Sequence, residues 1–192
     1  MGREPGDGDN LERAALNRFG KILMLDNNVG ILIVKPIEEL TVEDSDRLMH
    51  INFWSYMLTT QRIAPEMRKT GGGSIINISS IGGLVALPGI AACCASKAAL
   101  IGLTRSIAYE YAPEIRCNVI CPGGAETPMS AAHVATFGDD PEEAIRLTAG
   151  RQLQKRFAIP NEIAEAVVFL ASDESSFMTA AVVPIEAGHR AW

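Results

Sequence analysis

The chain has 192 residues, of which 47% are apolar and 21% are charged, and its net charge is −6. This length and composition are those of a globular protein with a buried core. No basic stripe with interleaved aromatic residues is present to bind nucleic acid, and no apolar run is long enough to span a membrane. The polar N-terminus lacks the apolar segment of a signal peptide, so we expect a cytoplasmic protein.

The predicted elements begin with a polar, glycine-rich segment, residues 1–10, that we expect to be disordered. A helix with apolar residues at helical spacing follows over residues 11–19, and Gly20 is a natural stop. Residues 22–25 are a short apolar run, which predicts a buried strand. The run ends in Asp26-Asn27-Asn28-Val29-Gly30, a cluster typical of a turn.

Thr41 begins a second helix, because Thr41-Val42-Glu43-Asp44 resembles a capping box. We expect this helix to run, with a bend, to about Met67. The elements that follow alternate between strand and helix. They are a strand over 74–78, a long helix over 91–111, a strand over 115–121, a helix starting at Asp140-Pro141, a helix over 161–171 and a last strand over 181–185.

The strands are continuous apolar runs rather than alternating ones, and they alternate with helices along the chain. This pattern is typical of a parallel sheet covered by helices on both faces. Pro184 in the last strand indicates an edge position. The sequence contains no internal repeat and no linker, so it predicts one α/β domain.

Side chains able to bind a metal are scattered. The four cysteines contain no C-x-x-C pair and have no histidine nearby, so we expect no metal site. Free thiols in a reducing compartment are the simpler interpretation. The cysteines are Cys93, Cys94, Cys117 and Cys121.

The most specific motif joins Ser80, Cys93 and Lys97. Cys93 and Lys97 are four positions apart in a predicted helix, so their side chains share one face. Ser80 follows a strand end, where its hydroxyl could hydrogen-bond a substrate oxygen. Taken singly, Ser80 is typical of a loop and Lys97 of a solvated helix. Together with the flanking Asn77-Ile78-Ser79 and Ala95-Ser96, they indicate a site.

These three residues resemble the Ser-x12-Tyr-x3-Lys signature of the short-chain dehydrogenase/reductase family, with Cys93 in the tyrosine position. The resemblance extends from about Leu11 to the end. It implies a three-layer Rossmann-like domain over residues 11–192 and a reaction between secondary alcohol and ketone with NAD or NADP. It also implies that Ser80 polarises the carbonyl, and that Lys97 binds the nicotinamide ribose and lowers the pKa of the proton donor.

Further motifs of the family have counterparts here. Asn27-Asn28-Val29-Gly30 resembles its Asn-Asn-Ala-Gly motif, which borders the adenine-ribose side of the cofactor. The segment 122–127 resembles its Pro-Gly-x-x-x-Thr loop, which meets the nicotinamide amide and phosphate. Asn52 matches an asparagine that holds a water in a proton relay to the lysine. The implied cofactor-binding residues are Asn27, Asn28, Gly30, Lys97, Pro122, Gly123 and Thr127.

Compared with the family, this chain starts just before the fourth strand and is N-terminally truncated, so the glycine-rich phosphate loop has no counterpart. The clusters Gly6-x-Gly8 and Gly71-Gly72-Gly73 do not link a strand to a helix N-terminus, so we interpret both as turns. The strand at 22–25 should then become an exposed edge. We expect this edge to cause self-association or low stability.

Three functional hypotheses follow. The first is an NAD(P)-dependent oxidoreductase of a small alcohol or ketone, impaired by Cys93 and by the truncation. The second is a non-catalytic scaffold that forms a homo-oligomer, or pairs with a full-length relative, through the two long helices. The third is a reactive thiolate at Cys93, favoured by the helix N-terminus and by Lys97. The segment 128–155 would form a substrate lid. Arg151 and Arg156 could meet a carboxylate, but surface salt bridges are the simpler expectation for both.

Overall fold

The structure, a computed structural model, describes residues 5–138 and 140–191, and its centre is one parallel sheet. The sheet contains β1 (Met24–Asn27), β2 (Gly73–Ile78), β3 (Ile115–Pro122) and β4 (Val182–Ile185). The strands lie side by side in chain order, and each neighbouring pair is parallel. The predicted parallel α/β sheet is therefore confirmed, with β4 at an edge.

Helices pack on both faces of this sheet. Ile75 and Cys117 contribute to a core on one face, together with residues of the helices before β2 and β3. Ile76 and Ile120, one and three positions further along their strands, pack on the other face with Leu170, because side chains at odd separations in a strand point to opposite faces. The helices are α1 (Pro5–Phe19), α2 (Val42–Met49), α3 (Ser55–Lys69), α4 (Ala91–Tyr111), α5 (Pro128–Val134), α6 (Pro141–Ala149) and α7 (Pro160–Ala171).

The first helix differs from the prediction at its N-terminal end. Helix α1 begins at Pro5, so residues 5–10 are helical rather than part of a disordered tail, and residues 1–4 lie outside the described residues. Proline suits the first helical turn because its fixed φ is already helical and its missing N–H has no partner to lose there. The predicted stop is correct, since Gly20 has a φ of 72°.

Strand β1 is shifted towards the C-terminus of the predicted run 22–25. Asp26 and Asn27 pair with Ile76 and Asn77 of β2, so the strand continues through two polar residues. The prediction ended at the last apolar residue, but backbone pairing decides where a strand ends. Ile22 remains buried just before the strand.

The predicted helix from Thr41 to Met67 is interrupted. Its capping box is present, with Thr41 Oγ1 accepting from Asp44 N at 3.1 Å. Helix α2 ends at Met49, a π-helical turn spans His50–Trp54, and α3 continues to Lys69. Such turns often occur at functional sites. Helix α5, within the expected lid segment, has no counterpart in the prediction.

The outer edge of β1 has no strand beside it within the described residues. Leu23 and Met24 are 49% and 48% exposed there, and Phe19 at the end of α1 is 69% exposed. Helix α1 covers part of the neighbouring core through Ala15 and Leu16. Self-association or low stability at this edge stays a prediction. No helix in the described part of the chain has the length and apolar character needed to cross a membrane.

Candidate functional site

The carboxyl ends of the central strands bring the predicted site residues together. Strand β2 ends at Ile78 and leads into Ser80, while α4 returns across the same end and carries Cys93 and Lys97. Ligands of open parallel α/β sheets bind at this end of the strands. The local fold therefore places the motif where a ligand site is expected.

Ser80 begins a 3-10 turn over residues 81–83. Its Oγ accepts a hydrogen bond from Gly82 N at 3.0 Å, so its hydroxyl proton can still be donated to another oxygen. Gly83 allows this turn to approach α4 closely, because a Cβ at that position would lie 2.9 Å from the backbone oxygen of Lys97. The Ser80 hydroxyl is thus held by the backbone around it.

Lys97 is almost completely buried, with 8% of its surface exposed. Its Nζ donates to Ile78 O at 2.8 Å and lies 5.5 Å from the centre of the Tyr56 ring. Burial lowers the pKa of Lys97 to about 8, because desolvation disfavours the ammonium ion. A bond to one carbonyl leaves two N–H groups of the ammonium available for a ligand.

Cys93 lies one helical turn before Lys97, and its side chain packs in an apolar cluster. The cluster contains Leu48 and Ile90, with residues 31–34 packed against it. Burial raises the pKa of the Cys93 thiol, and the opposing effect of the Lys97 charge is smaller. Cys93 is therefore a neutral thiol at pH 7, which opposes its interpretation as a reactive thiolate.

Asn52 lies in the π-helical turn and is fully buried. Its Oδ1 accepts from Ile31 N at 2.8 Å, while its Nδ2 donates to Ile31 O at 3.0 Å and to Ser96 Oγ at 3.1 Å. The side chain thus ties the segment after β1 to α4. The water relay implied for Asn52 remains a prediction.

The first asparagine of the Asn-Asn-Val-Gly segment belongs to a buried polar network. Asn27 Nδ2 donates to Asn77 Oδ1 at 2.9 Å, Asn77 Nδ2 donates to Thr104 Oγ1 at 3.0 Å, and Thr59 Oγ1 donates to Asn27 Oδ1 at 2.7 Å. The network joins β1, β2, α3 and α4 and was missed from sequence. Asparagines inside otherwise apolar strands were the available signal.

Two more predicted cofactor residues, Asn28 and Gly30, follow Asn27 in the chain. A Cβ on Gly30 would lie 3.5 Å from both Asn52 Oδ1 and Lys97 Nζ, so Gly30 borders the buried lysine. Asn28 is exposed. Their roles in binding a cofactor stay predictions.

The segment after β3 holds the other predicted residues. Pro122 pairs with Ile185 at the end of the strand, and Gly123 N donates to Ile185 O at 2.9 Å. Thr127 caps α5, with its Oγ1 accepting from Ser130 N at 3.2 Å. This segment thus starts the expected lid. Within residues 5–138 and 140–191, no group of His, Cys, Asp and Glu side chains is arranged to hold a metal ion.

The fold and this site define a class of protein. Residues 3–190 match the family model described as enoyl-(acyl carrier protein) reductase. The chain belongs to the short-chain dehydrogenase/reductase family of oxidoreductases.

Individual relatives agree with this assignment. An uncharacterised oxidoreductase of Thermotoga maritima is 37% identical over 96% of this chain and 74% of its own length. Cyclopentanol dehydrogenase of a Comamonas strain is 41% identical over 86% of this chain and 64% of its own length. The crystal structure of levodione reductase superposes with a TM-score of 0.95 at 32% identity, covering 98% of this chain and 75% of that one. The chain thus spans between about two thirds and three quarters of these relatives.

Proposed function

We propose that this chain is an NAD(P)-dependent oxidoreductase by ancestry, whose interconversion of a small secondary alcohol and ketone is strongly impaired. The names of two relatives, cyclopentanol dehydrogenase and levodione reductase, support the class of reaction. The observation that carries the impairment is Cys93. Its short side chain is packed among apolar residues, and burial raises the pKa of its thiol.

The residues around Lys97 fit the nicotinamide end of the cofactor. The ammonium of Lys97 has two N–H groups beyond its bond to Ile78 O, and Gly30 presents no side chain beside it. Lys97 would hold the ribose, with the segment from Pro122 to Thr127 beside the nicotinamide. When bound, the nicotinamide supplies or accepts the hydride.

The protein groups must then manage the substrate oxygen and its proton. The Ser80 hydroxyl can donate a hydrogen bond to that oxygen. A proton donor at position 93 would have to reach the same oxygen, and a positioned donor contributes about 10²- to 10⁴-fold to such rates. The Cys93 thiol is shorter than a tyrosine and buried, so we propose that this contribution is lost.

The test is Cys93→Tyr, with Cys93→Phe as a matched control that adds the same ring without the hydroxyl. Binding of NADH and NADPH is measured by calorimetry, and reduction of cyclopentanone is followed by the loss of nicotinamide absorbance. We expect Cys93→Tyr to exceed both the wild type and Cys93→Phe by about 100-fold or more.

The outcomes separate the parts of the proposal. Equal rates in the wild type and Cys93→Tyr would show that the chain is not impaired at position 93. If neither NADH nor NADPH binds to any of the three proteins, the cofactor assignment is rejected. Binding without turnover of cyclopentanone in Cys93→Tyr would reject the proposal that a tyrosine at position 93 is all that this chain lacks for the reduction of that ketone.

A second candidate is a non-catalytic partner that associates with itself or with a full-length relative. The apolar edge at Leu23 and Met24 favours it, as does Tyr109 on the long helix α4, which is 89% exposed. Exposed apolar surface at an open sheet edge favours pairing with another chain.

Sedimentation of the protein, alone and mixed with cyclopentanol dehydrogenase, tests this candidate. We expect a species heavier than a monomer, which Met24→Lys should dissociate. Ile145→Lys is the control, because Ile145 on α6 is comparably exposed, at 43%. A monomer in both samples would reject the scaffold hypothesis.

A further inference from the structure

A cleft lies beside the candidate site and has a volume of about 350 Å³. It is lined by Val85, Arg151, His189 and Arg190. This volume lies within the range of about 300–1,000 Å³ that is typical of small-molecule sites. Three of the four lining side chains carry nitrogen donors, and none of the four is acidic.

The fold makes little use of these donors. Within residues 5–138 and 140–191, no hydrogen bond or ion pair is found for the Arg151 guanidinium. Arg190 Nε lies 3.9 Å from Glu186 Oε1, a long ion pair. Arg156, by contrast, donates to both oxygens of Glu162 at 2.6 and 2.7 Å, which confirms a surface salt bridge as its arrangement.

His189 adds an independent observation. Its Nε2 is buried and has no hydrogen-bond partner. A buried polar atom without a partner is costly, so such atoms usually have a ligand or ordered water. Burial lowers the pKa of His189, and the positive charge of Arg151 lowers it further while Glu186 opposes. The imidazole is therefore neutral at pH 7 and can donate from Nε2.

The turn at residues 187–190, here called the C-terminal turn, packs against the segment that carries Arg151. Leu153 N donates to Ala187 O at 2.7 Å, which fastens the segment after α6 to this turn. Gly188 has a φ of 76°, and a Cβ there would lie 2.5 Å from the Leu153 side chain. Glycine thus permits the close contact that brings Arg151 and His189 to the same cleft.

The cleft borders the turn that begins at Ser80. Val85 N donates to Ile81 O at 3.0 Å, so Val85 belongs to the turn that Ser80 begins. Burial raises the pKa of the Cys121 thiol, while the charges of Arg190 and Lys97 both oppose this rise. One buried thiol therefore lies within the influence of both cations.

We infer that this cleft binds a carboxylate on the alcohol or ketone substrate, so that the substrate class is hydroxy acids and oxo acids. A guanidinium matches a carboxylate with two parallel hydrogen bonds, and the donor on His189 can supply another. The inference rests on the proposed function for the position of the reacting oxygen at Ser80. The anion site itself is built from Arg151, His189 and Arg190.

The test compares cyclohexanecarboxylate with its neutral amide, cyclohexanecarboxamide, by calorimetry without nucleotide and at fixed ionic strength. We expect the wild type to bind the acid about tenfold or more tightly than the amide. Arg151→Gln and Arg190→Gln should each remove most of this preference. Arg105→Gln, which removes an exposed charge from α4, should keep it.

Equal affinity for acid and amide in the wild type would overturn the inference. It would also be overturned if Arg105→Gln lost as much of the preference for the acid as Arg151→Gln does. Sulfate that binds as tightly as the acid would also overturn it, because the site would then recognise any anion rather than a carboxylate on a carbon skeleton. Because no nucleotide is present, a failure of the cofactor proposal leaves this result unchanged. The two can therefore fail separately.

Discussion

The two sides of the candidate site differ in how their polar groups are bonded. On the Ser80 and Lys97 side, Asn52, Asn77 and Lys97 are buried and bonded to backbone or to neighbouring side chains. On the cleft side, Arg151 and the buried Nε2 of His189 have no partner within the described residues.

This difference separates fold support from ligand recognition. Bonded, buried polar groups hold helices and strands in register whether or not a ligand binds. The motif residues Asn27 and Asn52 therefore have a structural use in this chain that does not depend on turnover. The unbonded donors of the cleft contribute nothing comparable to the fold, so a ligand is the more direct explanation for them.

The largest effect should come from the bonded side, at Asn77. Asn77→Ala removes the partner of the Asn27 amide and of Thr104 and leaves a cavity, so we expect a loss of about 4 kcal/mol in the free energy of unfolding. Urea denaturation measures it. The control is Asn28→Ala, at an exposed position, which should change little. If Asn77→Ala lowers the free energy of unfolding by less than about 1 kcal/mol, the bonded polar groups do not support the fold more than the cleft donors do.

Substitution of Lys97 should raise the free energy of unfolding rather than lower it. Lys97→Met removes a buried charge. The Ile78 carbonyl, which loses its bond from Lys97, still accepts from the Tyr56 hydroxyl at 3.1 Å. Burial lowers the pKa of Lys97 from 10.5 to about 8. The variant should therefore be more stable at pH 7 by up to about 3 kcal/mol.

The pH dependence identifies the cause of that gain. Between pH 8 and 10.5 the unfolded state binds more protons at Lys97 than the folded state, so the wild type gains stability relative to the variant as pH rises. The difference should vanish near pH 10.5. A gain that is constant with pH would contradict the assignment.

Much of the fold could be predicted from sequence, because apolar runs and helix stops are local signals. Helix α4 has the predicted bounds, and the predicted run 115–121 is β3 extended by one residue. The π-helical turn around Asn52 was not predicted, because the Asn52 side chain bonds to Ile31 and Ser96, which lie 21 and 44 positions away in the sequence. Strand β1 was misplaced because its polar end pairs through the backbone.

The candidate site was predicted on one side only. The spacing of Ser80, Cys93 and Lys97 was informative because two of the three residues share one helix. The cleft combines segments near residues 85, 151 and 189, which are distant in sequence and meet only through the C-terminal turn. A lone Arg151 could not be distinguished from the salt-bridged Arg156 before that turn was known.

Tyr56 provides a smaller test of the bonded side. Its hydroxyl lies 2.9 Å from Val29 O and 3.1 Å from Ile78 O, and the residue is fully buried. Tyr56→Phe should lower the free energy of unfolding by about 1 kcal/mol, the usual value of one hydrogen bond. Tyr109→Phe, at an exposed position, is the control. A loss equal to that of the control would show that the hydroxyl adds nothing to the fold.

The smallest change in stability is expected on the cleft side, at Arg151. It tests directly whether the cleft donors support the fold. Arg151→Gln should change stability by less than about 0.5 kcal/mol, because the guanidinium has no partner to lose within the described residues. Arg156→Gln should lower the melting temperature more, since Glu162 loses both of its hydrogen bonds from Arg156. Arg156 and the backbone N–H of Ile159 hold the pKa of Glu162 at about 2, below its ordinary 4.5, so this difference should fade as pH falls towards 2. If Arg151→Gln destabilises as much as Arg156→Gln, Arg151 supports the fold and is not free to bind a carboxylate.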